Sequence, residues 1–245
     1  MRAGTRLAMI AALGLLAGAT PALAQGISIS LGEGGSLTAQ TLQLIALITV
    51  LSLAPGLAIM ITCFPFIVTV LAILRQGIGL QQSPPNMLII SLALFLTYFV
   101  MEPVFLEAWR SGIEPMLQDA LPVQDAVPRA LEPFRVFMAN RIEPDTFAAM
   151  ADLRPDTAQI ASGPDAPLSV LIPSFLLSEI ARAFQIGFLV FLPFLIIDLV
   201  VAAVLMSMGM MMVPPAIVSL PFKLAFFVIA DGWSLVAGSL VRSYF

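Results

Sequence analysis

The chain has 245 residues, of which 60% are hydrophobic and only 11% charged. Its mean hydropathy is +1.02, whereas a soluble domain carries about 25% charged residues; this is an integral membrane protein. There is no histidine and a single cysteine, Cys63, so an intrachain disulfide and a Cys/His zinc cluster are both excluded, and the commonest general base is missing. The net charge of −4 includes no basic run, and nothing marks a nucleic-acid surface.

Residues 1–24 read as a signal peptide. Arg2 and Arg6 form a charged start, Leu7 to Ala17 a short apolar run, and Ala22-Leu23-Ala24 a small-residue cleavage site. The run is short for a span of about 20 residues, so cleavage is expected between Ala24 and Gln25, leaving the mature amino terminus outside the cytoplasm. Residues 25–41, rich in Gly and Ser, form a leader.

Residues 42–106 are expected to form a first helical hairpin. Leu42 to Leu74 carries no charge, and Pro55-Gly56 and Pro65 interrupt it, which predicts a bent or broken helix because proline removes a backbone donor. Arg75 to Pro85 (RQGIGLQQSPP) is a polar turn, with Gln81, Gln82, Pro84 and Pro85 at the hairpin tip. Met87 to Phe105 returns as a second apolar helix.

Residues 107–168 change character. They hold five arginines (Arg110, Arg129, Arg135, Arg141, Arg154) against ten acidic groups, punctuated by prolines. A water-exposed, mostly helical insert is expected, on the outer side of the membrane by its acidic balance, with Arg75 on the cytoplasmic side.

Residues 169–245 form a second hairpin. Glu179 and Arg182, at i, i+3, can pair on a helix face. Asp198 lies deep in an apolar run, where a charge costs about 2.5–3.5 kcal/mol on insertion scales and needs a partner; Lys223, beyond Pro214-Pro215, is the obvious opposite charge. Asp198, Ala202 and Gly209 fall on one helical face, and small residues there favour close helix packing. The fold class is therefore an all-α membrane protein: two kinked helical hairpins joined by a soluble, mostly helical insert, with four spans and both mature termini outside in the simplest topology.

Five of the seven residues from Met206 to Met212 are methionine, and Pro214-Pro215 follows at once. Thioethers at Met-x-Met spacing can bind Cu(I), but histidine is absent and no cysteine is near. Ordinary helix filling is a second reading. A deformable apolar closure in a channel is the third, since methionine adapts to irregular and moving surfaces. Enzyme readings are weak: Ser219 and Lys223 have the i, i+4 spacing of a Ser–Lys dyad, yet no motif accompanies them or the Asp198/Asp231 pair, and no glycine-rich phosphate loop exists.

Three blocks carry a family resemblance: ILRQGIGLQQSPPN from Ile73, LALFLTYFVMEP from Leu92, and the long run from Ser178 to Trp233 that includes FLPFLIIDLV, VLMSMGMMMVPP and SLPFKLAFFVIADGW. They resemble the FliP family of flagellar type III export-gate proteins, over nearly all the mature chain and more loosely in 107–168; the virulence secretion counterpart shares the pattern. The resemblance implies a non-enzymatic channel subunit without cofactors, in a pentameric arrangement with FliQ and FliR. It implies further export-apparatus membrane proteins, membrane lipid and flagellar export substrates as partners, and a place in the bacterial inner membrane at the flagellar basal body, with the insert periplasmic. It further implies that Met210, Met211 and Met212 form a gasket around the closed pore, that Glu179, Arg182, Asp198 and Lys223 are interface or gating charges, and that the assembled hairpins stand largely above the membrane plane. One departure is Pro65-Phe66, where the family typically has Thr-Arg. The alternative from another class is a multi-pass transporter of a small solute or copper.

Overall fold

The computed structural model describes residues 37–79, 84–210 and 212–245; the expected cleavage site at Ala24 and Gln25, and Gln81, Gln82 and Met211, lie outside these. Among the described residues the structure is helical, with no strand. The helices are α1 (Leu37–Met60), α2 (Phe64–Ile78), α3 (Asn86–Ala108), α4 (Glu114–Leu117), α5 (Val123–Ala139), α6 (Pro144–Asp152), α7 (Leu168–Ser207), α8 (Pro215–Ile229) and α9 (Gly232–Arg242). A π-helical turn, Trp109–Ile113, carries α3 into α4 without a break. Two compact units divide between Leu51 and Ser52; the second contains both cores and all the polar groups described below.

Proline sets the boundaries differently from the simplest expectation. Pro55 stays inside α1, and the chain instead breaks at residues 61–63. Pro65 then sits in the first turn of α2, where its missing N–H costs nothing because that amide has no intrahelical acceptor. Thr62 supports the new start by accepting a hydrogen bond from the Phe64 amide at 3.3 Å. Pro193 does not interrupt α7, whose 40 residues make a rod about 60 Å long.

Two cores result. The larger is a stripe of α2 (Phe66, Ile67, Val70, Leu71, Leu74, Ile78) packed on α7 through Ala183 and Phe194, and on α3 through Ala93, Val100 and Met101. The 3–4-residue spacing along α2 gives it one buried face. The smaller core joins the insert to the start of α7: Met138, Ile142, Phe147 and Ala151 close over Val170, Leu171 and Phe175. The insert is thus helical and anchored, while its charged groups remain largely at the surface.

Asn86–Leu117 and Leu168–Ser207 are each long and apolar enough to cross a membrane. Pro215–Ile229 with Gly232–Arg242, and Leu44–Met60 with Phe64–Ile78, qualify only as broken pairs. Among the described residues, two helices are thus long and apolar enough to cross a membrane, or up to four segments if each bent pair is one span.

Candidate functional site

The methionine run occupies the carboxyl end of α7 and the turn beyond it. α7 stops at Ser207, and Gly209 takes the left-handed conformation with φ 72°, which glycine adopts without steric cost. The Gly209 amide donates to the Met206 carbonyl at 3.1 Å and the Met210 amide to the Leu205 carbonyl at 3.0 Å. This pair of bonds is the Schellman arrangement, which satisfies carbonyls that a helix end would otherwise leave unpaired. The expected small-residue face through Asp198, Ala202 and Gly209 is therefore two-membered: Gly209 lies past the helix end and serves the turn.

Around that turn the thioethers are open to the outside. Met206 and Met208 are exposed, Met210 is 41% exposed and Met212 is 98% exposed. A Val213 amide bond to the Met210 carbonyl at 3.3 Å tightens the loop before Pro214 and Pro215 start α8. Backbone hydrogen bonds fix the loop while several flexible, polarizable side chains project from it. The side chains are free to change rotamer without disturbing the turn.

Behind the turn, α7 and α8 are tied by polar groups. Lys223 Nζ lies 2.6 Å from Asp198 Oδ2 and donates to the Gly77 carbonyl at 3.1 Å. Ser219 Oγ donates to Asp198 Oδ1 at 2.6 Å. The side chains of Lys223 and Asp198 are 8% and 36% exposed. One cation thus joins three helices, and the Gly77 carbonyl it caps belongs to the last turn of α2, where a positive charge is favourable. Ser219 and Lys223 both face Asp198 because they are one helical turn apart.

A second polar knot lies far along α7. Glu179 is fully buried. Its Oε1 accepts from Arg141 Nε at 2.9 Å, and its Oε2 accepts from the Tyr244 hydroxyl. Arg182 stands 3.6 Å from both Glu179 and Glu143, so the i, i+3 pair read from the sequence exists but is the looser contact. The Arg141 guanidinium also donates to the Ser243 carbonyl at 2.9 Å and sits 4.0 Å from the Tyr244 ring centroid. Burial, and next the Glu179 carboxylate, hold the Tyr244 phenol well above the usual tyrosine range, so it stays protonated and donates. Phe66, at the position of the family departure, is fully buried with its ring edge-on to Tyr244 at 5.6 Å and 5.9 Å from the Arg141 guanidinium carbon.

Sequence reading finds neither Arg141 nor Tyr244. Arg141 is one of five arginines in the insert, and its partner is 38 residues away; no local spacing singles it out. The hairpin tip is partly described: Arg75 reaches across it to the Asn86 side chain and to the Pro84 carbonyl.

Among the described residues, long apolar helices, buried charges paired with opposite charges, and thioethers displayed at one turn define an all-α membrane protein with a soft, exposed loop. The FliP family matches residues 47–240. The chain is 49% identical to the flagellar biosynthetic protein FliP of Caulobacter vibrioides over 245 residues, covering 100% of this chain and 92% of the relative. It is 48% identical to that of Agrobacterium fabrum over 211 residues, 86% of each, and 44% identical to that of Bacillus subtilis over 208 residues, 83% and 92%. The chain belongs to the FliP family of flagellar biosynthetic proteins.

Proposed function

We propose that the protein is a channel subunit of the flagellar type III export gate in the bacterial inner membrane. Several copies, in a pentameric arrangement, assemble with FliQ and FliR around a pore for unfolded flagellar proteins. The insert, 107–168, faces the periplasm, and the signal peptide, 1–24, directs the chain there.

The observation that carries this reading is the methionine turn. Its backbone is held by helix-capping bonds, while Met210 and Met212 are exposed in the single chain. Exposed thioethers gain little from water, and in a ring of subunits they would bury one another. Met210, Met211 and Met212 from several protomers then form a closure that excludes ions yet deforms around a passing chain. The Asp198–Lys223–Gly77 knot holds α8 to α7 and α2, giving the soft ring a firm base. Exposed apolar residues along α7, such as Phe184 and Phe188, supply surface for neighbouring subunits.

The test uses complexes of the chain co-expressed with FliQ and FliR. Replacing Met210, Met211 and Met212 by alanine should leave the complex assembled and raise small-ion leakage across the membrane. Unchanged leakage in assembled complexes overturns the closure. Purification of the chain as an active solute or copper transporter without FliQ and FliR overturns the gate itself.

A further inference from the structure

The last two helices are joined by two residues, Ala230 and Asp231. Between α8 and α9, Ala230 lies at φ −78° and ψ 0° and Asp231 takes the left-handed conformation at φ 48° and ψ 48°, and the helices turn by 61°. The corner is tight: a Cβ added to Gly232 would lie 2.1 Å from the Phe227 ring. Asp231 holds the left-handed conformation, which aspartate adopts more readily than most side chains do; the bent arm also has a second hold.

That hold is at the far end of α9. The Ser243 carbonyl accepts from Arg141, the Tyr244 hydroxyl donates to Glu179, and the Tyr244 ring stacks on Phe137 with centroids 6.0 Å apart. Leu240 is buried in the larger core. The partners of Ser243 and Tyr244 here, Arg141, Glu179 and Phe137, all lie outside α8. The buried Glu179 carboxylate keeps Arg141 when the tail leaves, so release does not strand a charge.

Release has a destination. α8 and α9 taken together are long and apolar enough for one membrane span, and joined from Pro215 to Arg242 they would be about 42 Å long, more than the roughly 30 Å hydrocarbon core. The amides of Gly232, Trp233 and Ser234 head α9 and lack intrahelical acceptors; straightening gives them the carbonyls of Val228, Ile229 and Ala230. We propose that Ser243–Tyr244 is a latch and Asp231–Gly232 a hinge, through which the last two helices exchange between the bent, latched arm and one straight membrane-crossing helix. This inference does not depend on the pore reading.

Residue-resolved amide exchange of the full chain in lipid nanodiscs tests it, comparing the parent with Tyr244→Ala, Tyr244→Phe and Gly232→Ala. Tyr244→Ala should speed exchange at Ser243 and residue 244 and slow it at Gly232, Trp233 and Ser234, each by about tenfold or more. Gly232→Ala, which forces a Cβ into Phe227, should give the same two opposite changes with Tyr244 intact. Protection along α2 and α7 serves as the folding control; should Tyr244→Ala lose it, Tyr244→Phe, which keeps the ring, is read with Gly232→Ala. Faster exchange at both the tail and Gly232–Ser234 means mere fraying and overturns the proposal, as does no change at Gly232–Ser234.

Discussion

Lys223 and Glu179 are both buried charges, but they are satisfied differently. Lys223 has one carboxylate and one helix-end carbonyl, and Asp198 is still partly open to the outside. Asp198→Asn leaves that ammonium buried without a counter-ion, which costs about 3–5 kcal/mol; thermal melting in detergent should fall accordingly, and adding Lys223→Met should recover much of the loss. Tyr244 gives a pH signature. Its phenol pKa is raised in the folded chain, so the unfolded chain loses that proton first. The stabilisation is complete below the ordinary tyrosine value of about 10 and is lost as pH rises above it toward the raised folded value. Melting against pH should show this alkaline loss in the parent and its absence in Tyr244→Phe. Asp198 and Lys223 are legible as a pair because each is the conspicuous charge of its apolar run. The Arg141–Glu179–Tyr244 set is not, because tertiary folding alone brings residues 38 and 65 positions apart onto one carboxylate.

The turn after α7 is the element where local sequence and local structure agree most closely. Met208-Gly209-Met210 supplies the glycine that a Schellman end requires, and Pro214-Pro215 prevents the helix from resuming before α8. Gly209→Ala forces a side chain into the left-handed region, at a cost of about 1–2 kcal/mol. It should lower thermal stability by that order and, in assembled complexes, raise ion leakage with all five methionines still present. Gly209→Asn should be milder, since asparagine tolerates this conformation. The first hairpin is less legible in the sequence. Proline marks where a helix can begin as well as where it ends, so Pro55-Gly56 is an equally plausible break in sequence, while the structure breaks at 61–63 and uses Pro65 to start α2. The polar character of the α9 tail likewise hides that Tyr244 packs, half-buried, among Phe66, Phe137 and Arg141.

At the scale of the molecule the apolar character of the chain settles the fold class, and the long runs mark the long helices, while α4, α5 and α6 lie in the charged insert without such runs. Membrane depth is another matter: hydropathy measures a segment's fitness for lipid, and a face such as Phe184 and Phe188 on α7 has the same composition whether lipid or a neighbouring subunit covers it. Replacing both phenylalanines by serine separates the two cases. On the proposed reading, size-exclusion of the co-expressed complex should show a large loss of assembled gate with helical content by circular dichroism unchanged. A final consequence concerns time. In the turn after α7 the main chain is pinned by three backbone bonds and only the thioether arms are loose. Exposed side chains change rotamer in picoseconds to nanoseconds, whereas loop and domain movements take nanoseconds to milliseconds. A seal made of such arms would recover behind each departing polypeptide faster than any rearrangement of the scaffold, so the ion loss per exported molecule would be set by the width of the chain in transit and not by a slow closing step.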